Sequence, residues 1–135
     1  SFLKENILPL EESGQLKFIE RGSGDRTTAV FPGMDVLFVD GHTDSQMIPI
    51  IDYKGTKVVF MADLLPSTGH IPLPYVMGYD TQPLKTLEER KSFFPEAAEN
   101  EYVLFLEHDF YNDCCTLQMT EKGPRLKETF ALADL

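Results

Sequence analysis

Short apolar runs, separated by residues that favour turns, divide the chain into predicted strands. Residues 36–39 form an entirely apolar run, which is typical of a central strand. Two further runs flank Lys54 and Gly55 and therefore predict a β-hairpin. The predicted strands and hairpins are residues 16–20, 36–39, 48–53, 58–62 and 101–109, and a terminal hairpin around residues 122–123.

Two segments have a helical spacing of apolar residues. At the start of the chain this spacing involves Phe2, Leu3, Ile7 and Leu10, although Pro9 interrupts the pattern. Residues 82–100 predict a longer helix, which Pro95 is expected to kink or split. The apolar face predicted for this longer helix comprises Leu84, Leu87, Phe94, Ala97 and Ala98.

The segment between the predicted hairpin and the long helix, residues 64–81, has no regular period. It is rich in proline and glycine, yet it also contains large apolar side chains. A loop of this length within a compact domain is usually functional, and its apolar content argues against disorder. Near its end, Asp80 is expected to cap the following helix, with Thr81 as the competing cap.

Strands that alternate with helices, several of them fully apolar, predict an α/β fold in which both faces of the sheet are covered. At 135 residues the chain fits a single domain, residues 1–135. Its formal net charge of −10 argues against binding to nucleic acid or to an anionic membrane, because both rely on Lys and Arg. Cys114 and Cys115 are adjacent and point to opposite faces of a strand, so they predict no disulfide and favour a reducing cytoplasm.

Three predicted strands end in residues that can bind a metal. Val36–Val39 leads to His42, the second strand of the hairpin leads to Asp63, and the strand within residues 101–109 leads to His108. Two imidazoles and a carboxylate suit zinc, and the ends of strands are where ligands collect in layered α/β folds. Asp109 is a candidate to accept a hydrogen bond from the other ring nitrogen of a ligand. Each residue also has a simpler interpretation, as a turn histidine, a capping aspartate or a buried histidine.

The motifs around these residues, "GHT", "FMADLL" and "LEHD", resemble in order the last three metal-binding motifs of the metallo-β-lactamase superfamily. The segments "FLKENILPLEESGQL" and "LPSTGHIPLPYVMGYD" resemble its glyoxalase-II-like branch, which includes quorum-quenching lactonases and methyl parathion hydrolase. The resemblance implies the C-terminal half of an αββα fold with a mixed or antiparallel sheet covered by helices. It implies that His42 binds one metal, that His108 binds the second, and that Asp63 bridges both as the catalytic carboxylate, while Thr43 flanks the first ligand.

Two parts of the family pattern are missing. After Thr43 the family motif continues with Pro-Gly-His, whereas this chain has Asp44, Ser45 and Gln46. The H-x-H-x-D-H motif that supplies most remaining ligands is absent, since the only histidines are His42, His70 and His108. Together with the start at Ser1 instead of Met, this predicts a fragment that lacks its N-terminal half, binds zinc weakly or not at all, and is inactive alone.

The resemblance implies that the intact parent is a binuclear zinc hydrolase, in which a metal-bound hydroxide cleaves an ester, lactone, thioester or phosphotriester. Iron or manganese remains an alternative to zinc. The loop side chains His70, Tyr75 and Tyr79 are candidates to contact a small-molecule substrate. Exposed apolar surface on the half-fold predicts self-association. The alternatives are a catalytically silent scaffold domain of the same fold, or an unrelated acidic α/β domain in which the three strand ends coincide by chance.

Overall fold

A computed structural model describes residues 3–135, so that Ser1 and the predicted helix position Phe2 lie outside the described residues. Helix α1 spans Lys4–Glu12 with Pro9 inside it, and helix α2 spans Pro83–Glu99. The seven strands are β1 (Arg26–Phe31), β2 (Met34–Val39), β3 (Gln46–Tyr53), β4 (Thr56–Phe60), β5 (Val103–Phe105), β6 (Cys114–Thr120) and β7 (Gly123–Phe130). Three short 3₁₀ turns cover Ser23–Asp25, Thr68–His70 and Leu132–Asp134.

All seven strands form one sheet in sequence order. Neighbouring strands are antiparallel except β4 and β5, which are parallel. This exception follows from the connections: the antiparallel neighbours are joined by loops, whereas the long loop and helix α2 carry the chain back between β4 and β5. Both predicted hairpins are present, and Gly55 and Gly123 adopt the positive φ that their tight turns require. The predicted mixed α/β sheet is thus confirmed.

Helix α2 packs on one face of the sheet and closes the core. The core includes Ile48 and Ile50 of β3, Val59 of β4, and Phe94 of α2, all almost inaccessible to solvent. Alternate residues on the strands therefore point towards α2. Helix α2 continues through Pro95 without dividing, and its first residue is Pro83, where the missing N–H group costs nothing.

The opposite face of the sheet carries an open apolar groove of about 580 Å³. Helix α1 buries none of its residues, so the described chain provides no second helix that is packed as closely as α2. The apolar runs predicted burial on both faces, whereas helix α2 covers only one of them. The groove is lined by Met34, Pro49, Ile51, Tyr53, Val58, Phe60, Phe105, Leu132 and Leu135.

The N-terminal part of the sheet differs from the sequence prediction. Residues 16–20 form no strand, and Phe18 is 85% exposed. Side-chain hydrogen bonds hold this segment instead of a ladder: the Thr27 hydroxyl donates to the Glu20 carbonyl and accepts from the Gly22 N–H group. The edge strand is β1, which begins at Arg26 within a polar stretch where no strand was predicted.

Cys114 and Cys115 are free and buried on β6, as predicted, with their side chains on opposite faces of the sheet. Burial raises the pKa of Cys114 to about 11 and that of Cys115 to about 12, so neither thiol resembles a nucleophile at neutral pH. In residues 3–135, no helix is long and apolar enough to cross a membrane.

Candidate metal centre

Three loops at one edge of the sheet carry the candidate ligands. Strands β2, β4 and β5 run in the same direction, because β3 is antiparallel to both β2 and β4 while β5 is parallel to β4. Each of these strands ends three residues before a candidate ligand, so His42, Asp63 and His108 follow from equivalent positions. The strand geometry therefore brings together three residues that are far apart in sequence.

The carboxylate of Asp63 lies between the two histidines and presents a different oxygen to each. Its Oδ2 atom is 3.6 Å from Nε2 of His42, and its Oδ1 atom is 3.3 Å from Nε2 of His108. Both distances exceed the usual ~2.7–3.2 Å of an N–H···O hydrogen bond. Two ligand atoms on one tetrahedral zinc ion, each ~2.0–2.2 Å from the metal, lie roughly 3.3–3.6 Å apart. The spacing of these donors therefore fits two metal positions that Asp63 bridges.

The ring of His42 is oriented by Asp80. Its Nδ1 atom is 2.9 Å from Oδ1 of Asp80, whose side chain is 0% exposed. When a carboxylate accepts a hydrogen bond from Nδ1–H, the lone pair of Nε2 is left on the side of Asp63, which is the usual arrangement around a metal-binding histidine. Asp80 is therefore not the helix cap that the sequence predicted: the N-cap of α2 is Gln82, which has no capping side-chain bond.

Thr81 likewise does not cap helix α2. Its hydroxyl and its N–H group both donate to the carbonyl oxygen of His42, at 2.9 and 3.2 Å. Asp80 and Thr81, the predicted capping residues, instead connect the segment before the helix to the turn that carries His42. A hydrogen-bonding side chain just before a helix predicts a cap from sequence. Only the fold shows that these side chains form hydrogen bonds with His42 instead.

The turn that carries His42 is fixed by Asp40. Its carboxylate accepts the N–H group of Ser45 at 2.8 Å and forms a two-point ion pair with Arg21 at 2.9 and 2.8 Å. Lys85 of helix α2 adds a third ionic contact, at 2.8 Å. The hydrogen bonds from Arg21 and then Lys85 hold the pKa of Asp40 well below its usual range. Asp40 thus shapes the turn, and the Asp44 carboxylate accepts a hydrogen bond from the Gln82 side chain at 3.2 Å.

Helix α2 also holds this turn from below through Glu89. The two oxygens of the Glu89 carboxylate accept the N–H groups of Asp40 at 2.7 Å and Gly41 at 3.1 Å. Gly41 packs against the helix so closely that an added Cβ atom would lie 2.6 Å from the Cα atom of Thr86. Only glycine fits at this position without moving the helix or the turn.

Asp63 has its own supports. Ala62, immediately before it, has a φ of 41°, and Gln46 donates from Nε2 to Oδ2 of Asp63 at 3.1 Å. The main chain on either side of Asp63 is held as well. The N–H group of Met61 donates to the carbonyl of Phe105, and the Arg90 side chain donates to the carbonyl of Leu64. The roles of Gln46, Glu89 and Arg90 could not be predicted from the sequence, since polar residues within strands and helices have no periodic signal.

Asp109 is placed differently from the prediction. Burial raises its pKa, but hydrogen bonds from Thr68, Tyr111 and Asn112 outweigh this effect and bring the pKa to about 2. These partners, and not the ring of His108, take up its carboxylate in the described structure. The His108 side chain is half exposed, and the main-chain N–H group of His108 donates to the carbonyl of Pro66 at 3.2 Å. Asp109 thus fixes the loops on either side of His108.

Thr43 lies beside His42 but is exposed, and its carbonyl accepts the N–H group of Gln46 at 3.4 Å. A cavity of about 320 Å³ borders the centre and is lined by His108, His70 and Tyr79, among others. Tyr79 also faces the ring of His42 edge-on, with 6.0 Å between the ring centroids. The structure therefore places His70 and Tyr79 beside the predicted metal ligands, whereas the third predicted substrate contact, Tyr75, is exposed and does not line this cavity.

The imidazole of His70 is held by Ser67, whose Oγ atom is 2.8 Å from Nδ1. Burial and then the charge of Arg90 lower the pKa of His70, which favours a neutral ring. Because Ser67 occupies Nδ1, the Nε2 atom is the one that remains to contact a ligand in the cavity.

The donor set is incomplete for a stable metal site. Because His42 and His108 face different oxygens of Asp63, each metal position has two protein donors, whereas zinc takes about four ligands. Accordingly, residues 3–135 contain no group of three or more His, Cys, Asp or Glu side chains arranged to hold a single ion.

The chain matches no protein-family model and no curated protein. Solved structures do match it. A probable metal-dependent hydrolase from Staphylococcus aureus is 24% identical, with a TM-score of 0.72 over 91% of this chain and 42% of that one. The hydrolase AbOPH of the β-lactamase superfamily is 21% identical, with a TM-score of 0.74 over 91% and 41%. AidC, a dizinc quorum-quenching lactonase, is 22% identical, with a TM-score of 0.73 over 93% and 42%.

The chain therefore spans about two fifths of the length of these solved structures. At such identities the similarity is one of fold, and it agrees with the resemblance of the strand-end motifs. The chain has the fold of the corresponding part of metallo-β-lactamase superfamily hydrolases.

Proposed function

We propose that this chain forms the C-terminal half of a binuclear zinc hydrolase and supplies three of its metal-binding side chains. The observation that carries the proposal is the position of Asp63, with one carboxylate oxygen towards Nε2 of His42 and the other towards Nε2 of His108. The Asp80 carboxylate behind His42 supports the proposal, because its contact with Nδ1 leaves the lone pair of Nε2 available to bind a metal.

Bound zinc would supply an activated water at neutral pH and polarise the scissile carbonyl or phosphoryl oxygen. The residues of this chain would hold and align the site. Asp63 would set the separation of the ions, and the loops fixed by Asp40 and Asp109 would keep the two histidines in place. His70 would offer a neutral Nε2 group to a polar substrate atom in the adjoining cavity, and Tyr79 would form part of its wall.

An ester, a lactone, a thioester or a phosphotriester is the proposed substrate class. One similar solved structure is a dizinc lactonase, which supports an acyl substrate. The cavity of about 320 Å³ beside His108 has both polar and apolar walls, and this suits a polar reacting group with a short apolar substituent.

The open apolar groove supports a second part of the proposal, namely that the remaining half of the protein packs on this face. Its walls are almost entirely apolar, which is typical of a surface that is buried in the complete protein. The free thiols of Cys114 and Cys115 support a cytoplasmic location, which stays a prediction.

A catalytically silent scaffold domain is the alternative, and the small donor set favours it. The coding sequence upstream of Ser1 distinguishes the two functions. An H-x-H-x-D-H motif there would supply the further ligands and support the hydrolase, whereas its absence would support the scaffold.

Calorimetric titration with zinc tests the metal centre directly in this chain. We expect weak binding, with a Kd above roughly 1 μM, because only two protein donors face each ion. Asp63→Asn should abolish even this binding, since it removes the bridging charge. Asp52→Asn is the matched control, because Asp52 is an exposed carboxylate at the far end of the same hairpin.

A submicromolar site for one ion per chain would contradict the incomplete donor set. Equal binding by the Asp63→Asn variant and the unmodified chain would contradict the assignment of Asp63 as the bridging ligand.

A further inference from the structure

Arg90 is a fully buried arginine in the middle of helix α2, with 0% of its surface exposed. Its Nε atom donates to the carbonyl of Leu64 at 2.7 Å, and Nη1 donates to the carbonyls of His70 and Tyr75 at 3.1 and 2.8 Å. Burying a guanidinium is costly unless its donors are used. Because the planar guanidinium group donates to three carbonyls of one loop, Arg90 fixes the conformation of that loop.

The loop that Arg90 holds connects the metal centre to the cavity. Leu64 directly follows the bridging ligand Asp63, and His70 lines the cavity beside His108. The preceding helix residue, Glu89, holds the N–H groups of the turn that carries His42. Two consecutive residues of α2 thus fix the two loops that provide His42 and Asp63.

Arg90 also balances the charge of Asp80. The side chain of Asp80 is completely buried, and its Oδ2 atom has no hydrogen-bond partner among the described residues. Nη2 of Arg90 likewise has no partner within residues 3–135. Burial lowers the pKa of Arg90 to about 10 and the charge of Asp80 acts in the opposite direction, so that Arg90 stays positively charged at neutral pH.

We propose that Arg90 is a positioning residue for the metal centre: it fixes the loop after Asp63 and provides the buried positive charge that keeps the Asp80 carboxylate behind His42. This inference rests on the proposed function, because it concerns the same centre. Its physical consequence is nevertheless a property of this chain without metal. The Asp80 carboxylate lies 2.9 Å from Nδ1 of His42, and Arg90 acts on that carboxylate through its charge, without a direct hydrogen bond between the two side chains.

The test is the ring tautomer of His42, read from long-range ¹H–¹⁵N NMR spectra of the chain. We expect the Nδ1–H form in the unmodified chain and a shift towards the Nε2–H form in Arg90→Met. Asp80→Asn should give the same shift, and the double variant should add little to it. Lys91→Met is the matched control, because Lys91 is the adjacent, exposed residue of α2 and pairs with Glu88 on the surface.

Arg90→Lys separates the two roles of the side chain and serves if Arg90→Met fails to fold. Lysine keeps the charge but not the fork, so His42 should remain largely Nδ1–H, while the amides of residues 64–79 exchange at least tenfold faster with deuterium. A folded Arg90→Met variant with the native tautomer would overturn the inference. Native exchange of residues 64–79 in Arg90→Lys would overturn it as well.

Zinc titration of the same variants keeps this inference separate from the proposed function. If the chain binds zinc, the affinity should fall about 10-fold in Arg90→Met, which is the usual loss when the support of a ligand is removed. If no variant binds zinc but the tautomer shifts as expected, the weak zinc binding expected of this chain alone is refuted and the positioning by Arg90 stands.

Discussion

Replacing Gly41 by alanine should damage both the fold and the candidate centre. Gly41 lies between Asp40 and His42, where the turn meets helix α2. An alanine Cβ atom would lie 2.6 Å from the Cα atom of Thr86, and the side chain and main-chain nitrogen of Thr86 are nearer still. Since carbon atoms pack at ~3.5–4.0 Å, the turn and the helix must separate by about 1 Å.

The cost of this separation can be worked from the contacts that it changes. Forcing extra volume into a packed site costs about 1–3 kcal/mol. The separation also lengthens the hydrogen bonds from Asp40 and Gly41 to Glu89, and bonds to a charged group contribute about 1.5–3 kcal/mol each. The lower entropy of the unfolded chain with alanine offsets about 0.4–1 kcal/mol. The two bonds lengthen and do not break, so they lose about a third of their combined contribution, and the mid-range values give a net loss of about 2–4 kcal/mol.

For a chain of this length each kcal/mol lowers Tm by about 3–4 °C, so Tm should fall by about 10 °C. Thermal unfolding followed by far-UV circular dichroism measures the change. Gly78→Ala is the matched control, because an added Cβ atom at Gly78 meets nothing within 4 Å. If Gly41→Ala unfolds at the same temperature as the control, the close approach of the turn to α2 is refuted.

Two further predictions concern the charges and the open face of the sheet. The pKa of Asp40 is lowered in the folded state, so its ion pairs stabilise the fold above the unfolded value of about 4 and this contribution is lost as the pH falls further. In urea unfolding, the Asp40→Asn variant should thus be less stable than the unmodified chain at pH 6, and its free energy of unfolding should decline less steeply below about pH 4. Parallel curves of stability against pH for the two proteins would contradict this. Light scattering should show a mass above 15.3 kDa that rises with concentration, whereas Ile51→Glu, in the apolar groove, should give a monomer. If the unmodified chain stays monomeric at high concentration, self-association through the apolar groove is contradicted.

The candidate centre could be predicted from sequence because its residues mark the ends of strongly apolar strands. His42, Asp63 and His108 each follow a run that only a strand explains, and strands of the same direction end at the same edge. Asp80 could not be assigned in this way. An aspartate before a helix predicts a cap, and its bond to His42 depends on a contact across 38 positions.

The first strand was missed for a similar reason. Residues 16–20 have the apolar content of a strand, yet the place beside β2 is taken by β1, and the other neighbour of β2 is β3. Arg26–Thr28 at the start of β1 is polar because β1 is an edge strand with much of its surface in solvent. Pattern alone cannot decide which of two weak segments takes the last place at the edge of a sheet.

Helix α2 shows most clearly what a hydrophobic pattern cannot predict. The expected face included Leu84, which is 78% exposed, whereas the buried stripe begins with Thr86 and Arg90 and becomes apolar only at Phe93. The second half of the helix packs on the sheet and follows the apolar rule. The first half lies against the loops of the candidate centre, where main-chain groups need polar partners. A polar buried stripe that continues an apolar one is therefore a signal in its own right: it indicates a helix that both closes a core and supports a site.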